Sequence, residues 1–263
     1  MAVSRRHPLT VLALGFVAVI WGFPTLWVLY ATFASPRGGF TLGNLAEAFA
    51  SAPFAQYAVN TVLIVGGLLI MQTIFGALVG FVLARYDFPG KSLITGLFLL
   101  QIVVPVYAIL IQEYEIVQGL HMLNTKTGIM LPYLVSGIAV LSFRQAFRAV
   151  PRELEEAARL DGYDTIGVFL RVYLPRAVPA ALAFAVISVT YHWTDFLWPL
   201  IVTNTASARP IVVGLAMVAE ASESGLQWNL LAAATAIVII PVLVVFASGT
   251  RRILSAFAST FDW

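Results

Sequence analysis

Apolar residues gather along this chain into six long runs, at 9–33, 58–84, 93–112, 127–147, 177–202 and 229–248. A helix needs about 20 mostly apolar residues to cross about 30 Å of hydrocarbon, so each run predicts one membrane span. Lipid cannot satisfy open backbone N–H and C=O groups, and the runs are too long for barrel strands, so the expected fold is all-α. The polar breaks are short: "ARYDFPGKS" holds a Pro-Gly turn, and "SPRGGFTLGNL" and "TNTASARP" read as loops. One break departs from this rhythm. Residues 151–175, "PRELEEAARLDGYDTIGVFLRVYLP", form a long insert dense in Glu, Asp and Arg.

Composition fits the same solvent. Hydrophobic residues make up 60% and charged residues 11% of 263, with mean hydropathy +0.90, too little polar surface to coat a water-soluble globule. There is no cysteine, and His7, His121 and His192 lie far apart in sequence, which argues against disulfides, thiolate chemistry and a metal site. A net charge of +2 gives no case for nucleic acid. Arg5 and Arg6 precede the first run as in a secretory signal, but the run exceeds a cleavable core and predicts an uncleaved first span. Trp21, Trp27 and Tyr30 sit near its far end, at the headgroup zone. With the N-terminus placed in the cytoplasm, twelve Lys and Arg fall on inside segments and three, Arg37, Lys126 and Arg209, outside. That asymmetry predicts both termini and the insert in the cytoplasm. No internal repeat or low-complexity tract is visible, so 1–263 reads as a single transmembrane domain with the insert, 148–176, as part of it.

The insert itself predicts two short helices. Pro151 suits a first helical position, Glu153, Glu155 and Glu156 favour the positive end of the helix, and Gly162 after Asp161 is a left-handed stop. Asp164 then caps a second helix running through Leu174 and ended by Pro175. On the first helix Leu154, Ala157, Ala158 and Asp161 share one face, with Arg152, Glu155, Glu156 and Arg159 elsewhere on the surface. Two readings follow from spacing alone: an amphipathic loop resting on headgroups, or a docking element for a polar cleft in a partner.

The order Glu156-Ala157-Ala158, three residues, Gly162, nine residues, Val172, one residue, Leu174-Pro175 resembles the EAA loop of binding-protein-dependent ABC importer permeases, with Val172 where Ile is usual. "LARYDFPGK", "LHMLNTKTGIMLPYL" and "YHWTDFLWPLIVT" resemble segments of the maltose-type carbohydrate branch, with Thr194 where Asn is usual. The resemblance implies a type I ABC importer permease (MetI-like) fold of six transmembrane helices with cytoplasmic coupling helices, in a bacterial or archaeal cytoplasmic (inner) membrane. It implies as partners a second homologous permease, an ATPase dimer and an extracytoplasmic solute-binding protein, besides membrane lipid. Glu153, Leu154, Glu155, Glu156, Ala157, Ala158, Asp161, Gly162, Leu174 and Pro175 then become the ATPase-coupling residues, with Glu156 facing a cleft on the ATPase and the alanines packed inside it. No GxxxxGK[ST] stretch occurs, so the chain is expected not to be an enzyme, with ATP and Mg held by the ATPase and no cofactor of its own. The expected cargo is a carbohydrate or related polyol or sugar derivative.

Within the spans, "TYHWTDFLWP" places Tyr191, His192, Trp193, Asp195 and Trp198 in the fifth. An intramembrane carboxylate must face protein or water. Tyr191 and Asp195 are four apart and His192 and Asp195 three apart, near enough on a helix to satisfy each other. This is either an internal polar ladder or the lining of a sugar path. Gln101, Tyr107 and Tyr133 are weaker path candidates, and Pro105 is expected to bend its helix. Gln72 and Asn60 read as interhelical hydrogen bonders, and His121 as a solvated loop residue. The tail "RRILSAFASTFDW" reads as a basic stop with an interfacial anchor or as a contact with the ATPase. An ion-coupled secondary transporter would want more intramembrane charge than Asp195 and an internal repeat. An intramembrane enzyme would want a paired-Asp, metal or Ser-base pattern that is absent, and a structural subunit would leave the EAA-like spacing without a reason.

Overall fold

The computed structural model describes residues 8–35, 38–223 and 228–261. Its helices are α1 Pro8–Phe33, α2 Gly43–Ser51, α3 Phe54–Arg85, α4 Lys91–Val103, α5 Leu110–Gly119, α6 Lys126–Met130, α7 Gly137–Arg148 and α8 Arg152–Leu160. They continue as α9 Thr165–Val168, α10 Leu174–Arg176, α11 Val178–Thr194, α12 Leu197–Val202, α13 Ile211–Glu223 and α14 Trp228–Phe261. The chain divides into two compact units, Met1–Ala55 with Gly214–Pro241, and Gln56–Val213 with Val242–Trp263.

In the first unit α1 turns bulky apolar side chains outward along most of its length, Trp21 being 79% exposed and Phe16 68%. Such a surface is stable against lipid and costly in water. Its C-terminal carbonyls are capped by distant amides. Asn44 donates to the carbonyls of Thr32 at 2.9 Å and Ala34 at 3.0 Å, and Asn229 donates to that of Ala34 at 3.0 Å. Arg5, Arg6, Arg37 and Trp263 lie outside the described residues, as do the side chains of Arg251 and Arg252.

The second unit is built on α3. Gly76 and Gly80, four apart, let α7 come into backbone contact: a Cβ on Gly80 would lie 2.8 Å from the backbone N of Arg144 and 3.0 Å from the carbonyl of Val140. This is the small-residue approach by which membrane helices gain packing where no hydrophobic effect drives them together. It brings Phe143 and Phe147 of α7 into a buried cluster with Ala77 and Phe81 of α3 and with Ala158, Val168, Val172 and Tyr173 of the polar insert. A second cluster joins Ile64 and Leu68 of α3 to Val117, Ile129, Trp198 and Val202.

Three of the runs expected as continuous spans are broken. The third parts at Val104 and Pro105, both extended, with a 98° bend between Lys91–Val103 and Val106–Gly119. Proline removes an N–H and drives the preceding residue out of the helical region, so the expected bend is here a full break. The fourth parts before α7, whose N-cap Ser136 accepts from the Ala139 N–H, with a 50° bend. The fifth ends at Thr194, and Asp195 is extended before α12. Pro199 stands four residues on, where its ring would clash with the Asp195 carbonyl in a continuous helix. Among the described residues, two helices are long and apolar enough to cross a membrane, or up to five spans if each bent pair counts as one, the third pair being Thr165–Arg176 with Val178–Thr194, bent by 67°. Trp228–Val244 is a further, shorter apolar stretch of α14.

Candidate functional site

The insert is a helical hairpin with defined caps. Helix α8 starts at Arg152, one residue later than expected, with Pro151 just before it. Its end is closed by hydrogen bonds from the Tyr163 N–H to the Ala158 carbonyl and from the Gly162 N–H to the Arg159 carbonyl, both 3.0 Å. This is the Schellman arrangement, and it places Gly162 at φ +88, a left-handed geometry that side chains resist. Asp164 then caps α9 by accepting from the Gly167 N–H at 2.8 Å. The second helix does not stop at Pro175. It passes through a π-helical turn, Phe169–Tyr173, and Pro175 sits in the first turn of α10, where a missing N–H is tolerated.

Glu155 fastens this hairpin to α3. Its Oε2 accepts from Arg85 Nη2 at 2.7 Å, Arg85 Nε at 3.0 Å and the Tyr173 hydroxyl at 2.6 Å, and its Oε1 accepts from Arg159 at 3.0 Å. The Arg85 guanidinium also lies over the Tyr173 ring, 5.0 Å from its centroid. Burial pushes the Glu155 carboxyl up, but the hydrogen bonds from Tyr173, Arg85 and Arg159 outweigh it and hold the group below its ordinary 4.5. The Tyr173 hydroxyl is pushed up, by burial first and then by the bond to Glu155.

The faces of α8 therefore differ from the expected ones. Leu154, Glu155 and Ala158 point inward, because the fixed charge of Arg85 at the end of α3 offers Glu155 a better site than solvent. Glu153, Glu156, Ala157 and Leu160, at i, i+3, i+4 and i+7, form the outward face, with Leu160 90% exposed. Asp161 is exposed and Ala158 is packed inside this chain, so only Ala157 of the alanine pair is open to a partner. Leu174 is half-buried and Pro175 exposed. Arg85 and Tyr173 are the anchoring residues that sequence reasoning did not single out. The i, i+4 spacing of Gly76 and Gly80 was the available signal that α3 has a close neighbour.

The intramembrane candidates separate into three groups. Tyr133, Tyr191, His192 and Asp195 come together: the His192 ring is 4.9 Å from that of Tyr133 and 5.1 Å from that of Tyr191, and Asp195 lines one small cavity with Tyr133 and His192. The helix break at Asp195 undoes the expected pairing of that carboxylate with Tyr191 and His192. His192 turns instead to Gln72, whose amide nitrogen donates to its Nε2 at 3.0 Å and to the Tyr133 carbonyl at 2.7 Å. An amide N–H can only donate, so Nε2 accepts and the ring proton sits on Nδ1, which is buried without a partner. Gln72 Oε1 accepts from Ser188 at 2.8 Å, which completes an interhelical node. The adjoining cavity measures about 10 Å³, room for about one water and not a sugar ring.

Gln101 stands apart, clamping the break before α7 by donating to the Val135 carbonyl at 2.9 Å and accepting from the Gly137 N–H at 2.8 Å. Trp198 belongs to the core: it is 1% exposed and its Nε1 donates to the Ile129 carbonyl at 3.1 Å. Tyr107 is exposed on the elbow after Pro105, and Trp193 is half-buried. Asn60 is buried and donates to the carbonyls of Ala206 and Arg209. Among the described residues no group of three His, Cys, Asp or Glu is placed to hold a metal.

Broken apolar helices and one pinned polar hairpin with an exposed helical face define a multi-pass membrane protein. The family model of the binding-protein-dependent transport system inner membrane component matches residues 72–258. The chain is similar to the arabinooligosaccharides transport system permease protein AraQ of Halalkalibacterium halodurans, 30% identical over 252 residues, 90% of each chain. Against AraQ of Bacillus subtilis it is 33% identical over 177 residues, 67% of this chain and 62% of that one, so it spans less than two thirds of that relative. The diacetylchitobiose uptake system permease protein NgcG of Streptomyces coelicolor is 31% identical over 248 residues, 90% of this chain and 82% of the relative. A chain in a crystal structure of a bacterial ABC transporter involved in the import of the acidic polysaccharide alginate shares the fold, with TM-score 0.81 at 17% identity over 92% of this chain and 94% of that one. The chain belongs to the family of binding-protein-dependent transport system inner membrane components: it is an ABC importer permease subunit, a transport protein and not an enzyme.

Proposed function

We propose that this chain forms one half of a carbohydrate-import channel, paired with a second homologous permease, fed by an extracytoplasmic solute-binding protein and driven by a dimer of ATPase subunits that hold ATP and magnesium. The relatives that act on arabinooligosaccharides and diacetylchitobiose support the cargo class. Both termini and the hairpin lie in the cytoplasm, as the twelve-to-three distribution of Lys and Arg favours.

The observation that carries the mechanism is the two-sidedness of α8. One face is fixed to α3 through Glu155, Arg85 and Tyr173, and the other, Glu153, Glu156, Ala157 and Leu160, is free for the ATPase. A push on the outer face is transmitted to the transmembrane α3 without slack, and α7, seated on Gly76 and Gly80, moves with it. Nucleotide-driven closure of the ATPase thereby rocks the bundle between inward-facing and outward-facing arrangements.

The chain has no cysteine, so Leu160→Cys introduces a unique thiol. In inside-out vesicles of the assembled transporter, this thiol is expected to cross-link to the ATPase and to be shielded from membrane-impermeant maleimide. Labelling from the external side of intact cells, or uptake of labelled oligosaccharide with the ATPase deleted, would overturn the reading.

A further inference from the structure

Beside the hairpin, where the end of α3, the α3–α4 turn, the end of α7 and the start of α8 meet, lies a cleft of about 670 Å³. Five cations line it. Two are neutralised within the chain, Arg85 by Glu155 at 2.7 Å and Lys91 by Asp87 at 2.9 Å. The other three, Arg144, Arg148 and Arg152, have no carboxylate within ion-pair distance among the described residues, and Glu153 is the remaining acid on the wall. Arg144 Nε is buried and has no hydrogen-bond partner. Three arginines without a carboxylate partner leave this wall with excess positive charge, which an anion in the cleft neutralises through charge-assisted hydrogen bonds.

The cleft does not end at the charges. Arg144 also lines two adjoining hollows that follow α4 and α7. One of about 580 Å³ runs past Thr95, Gly96 and Leu99, and one of about 390 Å³ past Thr95, Leu99 and Leu141. Helices α4 and α7 each belong to a bent pair apolar enough to cross a membrane. A cationic mouth at the membrane surface thus opens into a groove with apolar walls. A small anion fills the mouth alone, whereas a phospholipid fills mouth and groove together. Basic pockets between membrane helices at a bilayer surface have the chemistry to hold anionic headgroups.

We propose that this groove is a binding site for one anionic phospholipid, its phosphate at Arg144, Arg148 and Arg152 and an acyl chain along Thr95, Leu99 and Leu141. The bound phosphate neutralises the wall from which α8 starts, so occupancy tightens the seat of the hairpin. Headgroup charge then acts on the element that α8 presents to its partner.

The test uses the full chain in its assembled transporter, reconstituted in nanodiscs of phosphatidylglycerol or of phosphatidylcholine and then extracted for native mass spectrometry. One phosphatidylglycerol is expected to stay bound where phosphatidylcholine does not, with retention weakened about five-fold for each of Arg144→Gln and Arg148→Gln, the worth of one surface arginine toward an anionic lipid. Arg148→Lys, which keeps the charge, should restore most of it. Leu99→Trp, which blocks the apolar limb and spares the cations, is the second variant should the arginine variants fail to assemble, and it too should lose the lipid. Equal retention of the two lipids, or unchanged phosphatidylglycerol in the variants, overturns the site. Displacement of phosphatidylglycerol by inorganic phosphate, with Leu99→Trp without effect, shows that the cleft takes a free anion and overturns the lipid assignment.

Discussion

Helix α3 is tied to its neighbours at two depths, and the two ties use opposite chemistry. At its end, Arg85 meets Glu155, Tyr173 and, through the same carboxylate, Arg159. Thirteen residues earlier, about 20 Å along the axis, Gln72 meets Ser188, His192 and the Tyr133 carbonyl with no formal charge in the contact. Desolvating an ion pair is tolerable where side chains retain some water, as Arg85 and Glu155 do at 9% and 18% exposure, and grows steeply in hydrocarbon. A neutral amide joins α3 to two groups of α11 and to the Tyr133 carbonyl without that cost. The surface tie is therefore strong, directional and open to electrostatic control, and the deep one is a passive clasp.

Removing the surface tie should have the largest effect. Glu155→Ala leaves Arg85 and the Tyr173 hydroxyl partly buried without their acceptor, with an expected loss of about 3 kcal/mol, the low end for a broken buried pair because both groups keep some exposure. Thermal unfolding of the purified assembly measures it, with Glu156→Ala on the exposed face staying within about 0.5 kcal/mol. A Glu155→Ala protein as stable as the parent would erase the contrast between the two ties.

Gly162→Asp comes next. Nothing lies within 4 Å of a Cβ there, so the cost is the left-handed φ of +88, about 1–2 kcal/mol. Insertion and expression should survive while ATP-driven uptake is lost, and normal uptake at normal expression would remove the hairpin from the mechanism. Gly162→Asn, which places at this position the residue that replaces Gly in left-handed helix ends, should keep more activity. For the deep tie, Gln72→Leu orphans the Ser188 hydroxyl and the His192 ring, and should cost about 1 kcal/mol, the scale of interhelical hydrogen bonds in bilayers. A loss matching that of Glu155→Ala would show that depth does not grade the ties.

The smallest effect is that of pH near neutrality. Glu155 is held below its ordinary 4.5, so its contribution is fully present above that value and is lost as pH falls through the lower, folded-state value. Stability should be flat from about pH 6 to 8 on this account and decline only in acid. Glu155→Gln should flatten the acid decline, and an unchanged acid limb in that variant would assign it to another carboxylate.

Much of the fold is legible in the sequence. The hairpin was readable because its signals are local: glutamates in the first turn of α8, a glycine forced to positive φ at 162, and a capping Asp164 three residues before Gly167. The breaks at Pro105 and before Pro199 were harder to see, because the hydropathy of 93–112 and 177–202 runs straight through them. A proline states only that a helix is under pressure there, and its neighbours decide whether the helix bends or parts.

What the sequence determined by itself was the solvent, the all-helical architecture, the polar hairpin and its bend, since each follows from composition or from contacts within a few residues. The tertiary structure alone decided which face of α8 turns inward, that Glu155 pairs with Arg85 seventy positions away, that His192 takes Gln72 in place of Asp195, and that Trp198 is core. Those choices are made by competition among partners that the folded chain brings within about 3 Å, and the spacing of residues along a single helix carries no record of who stands opposite.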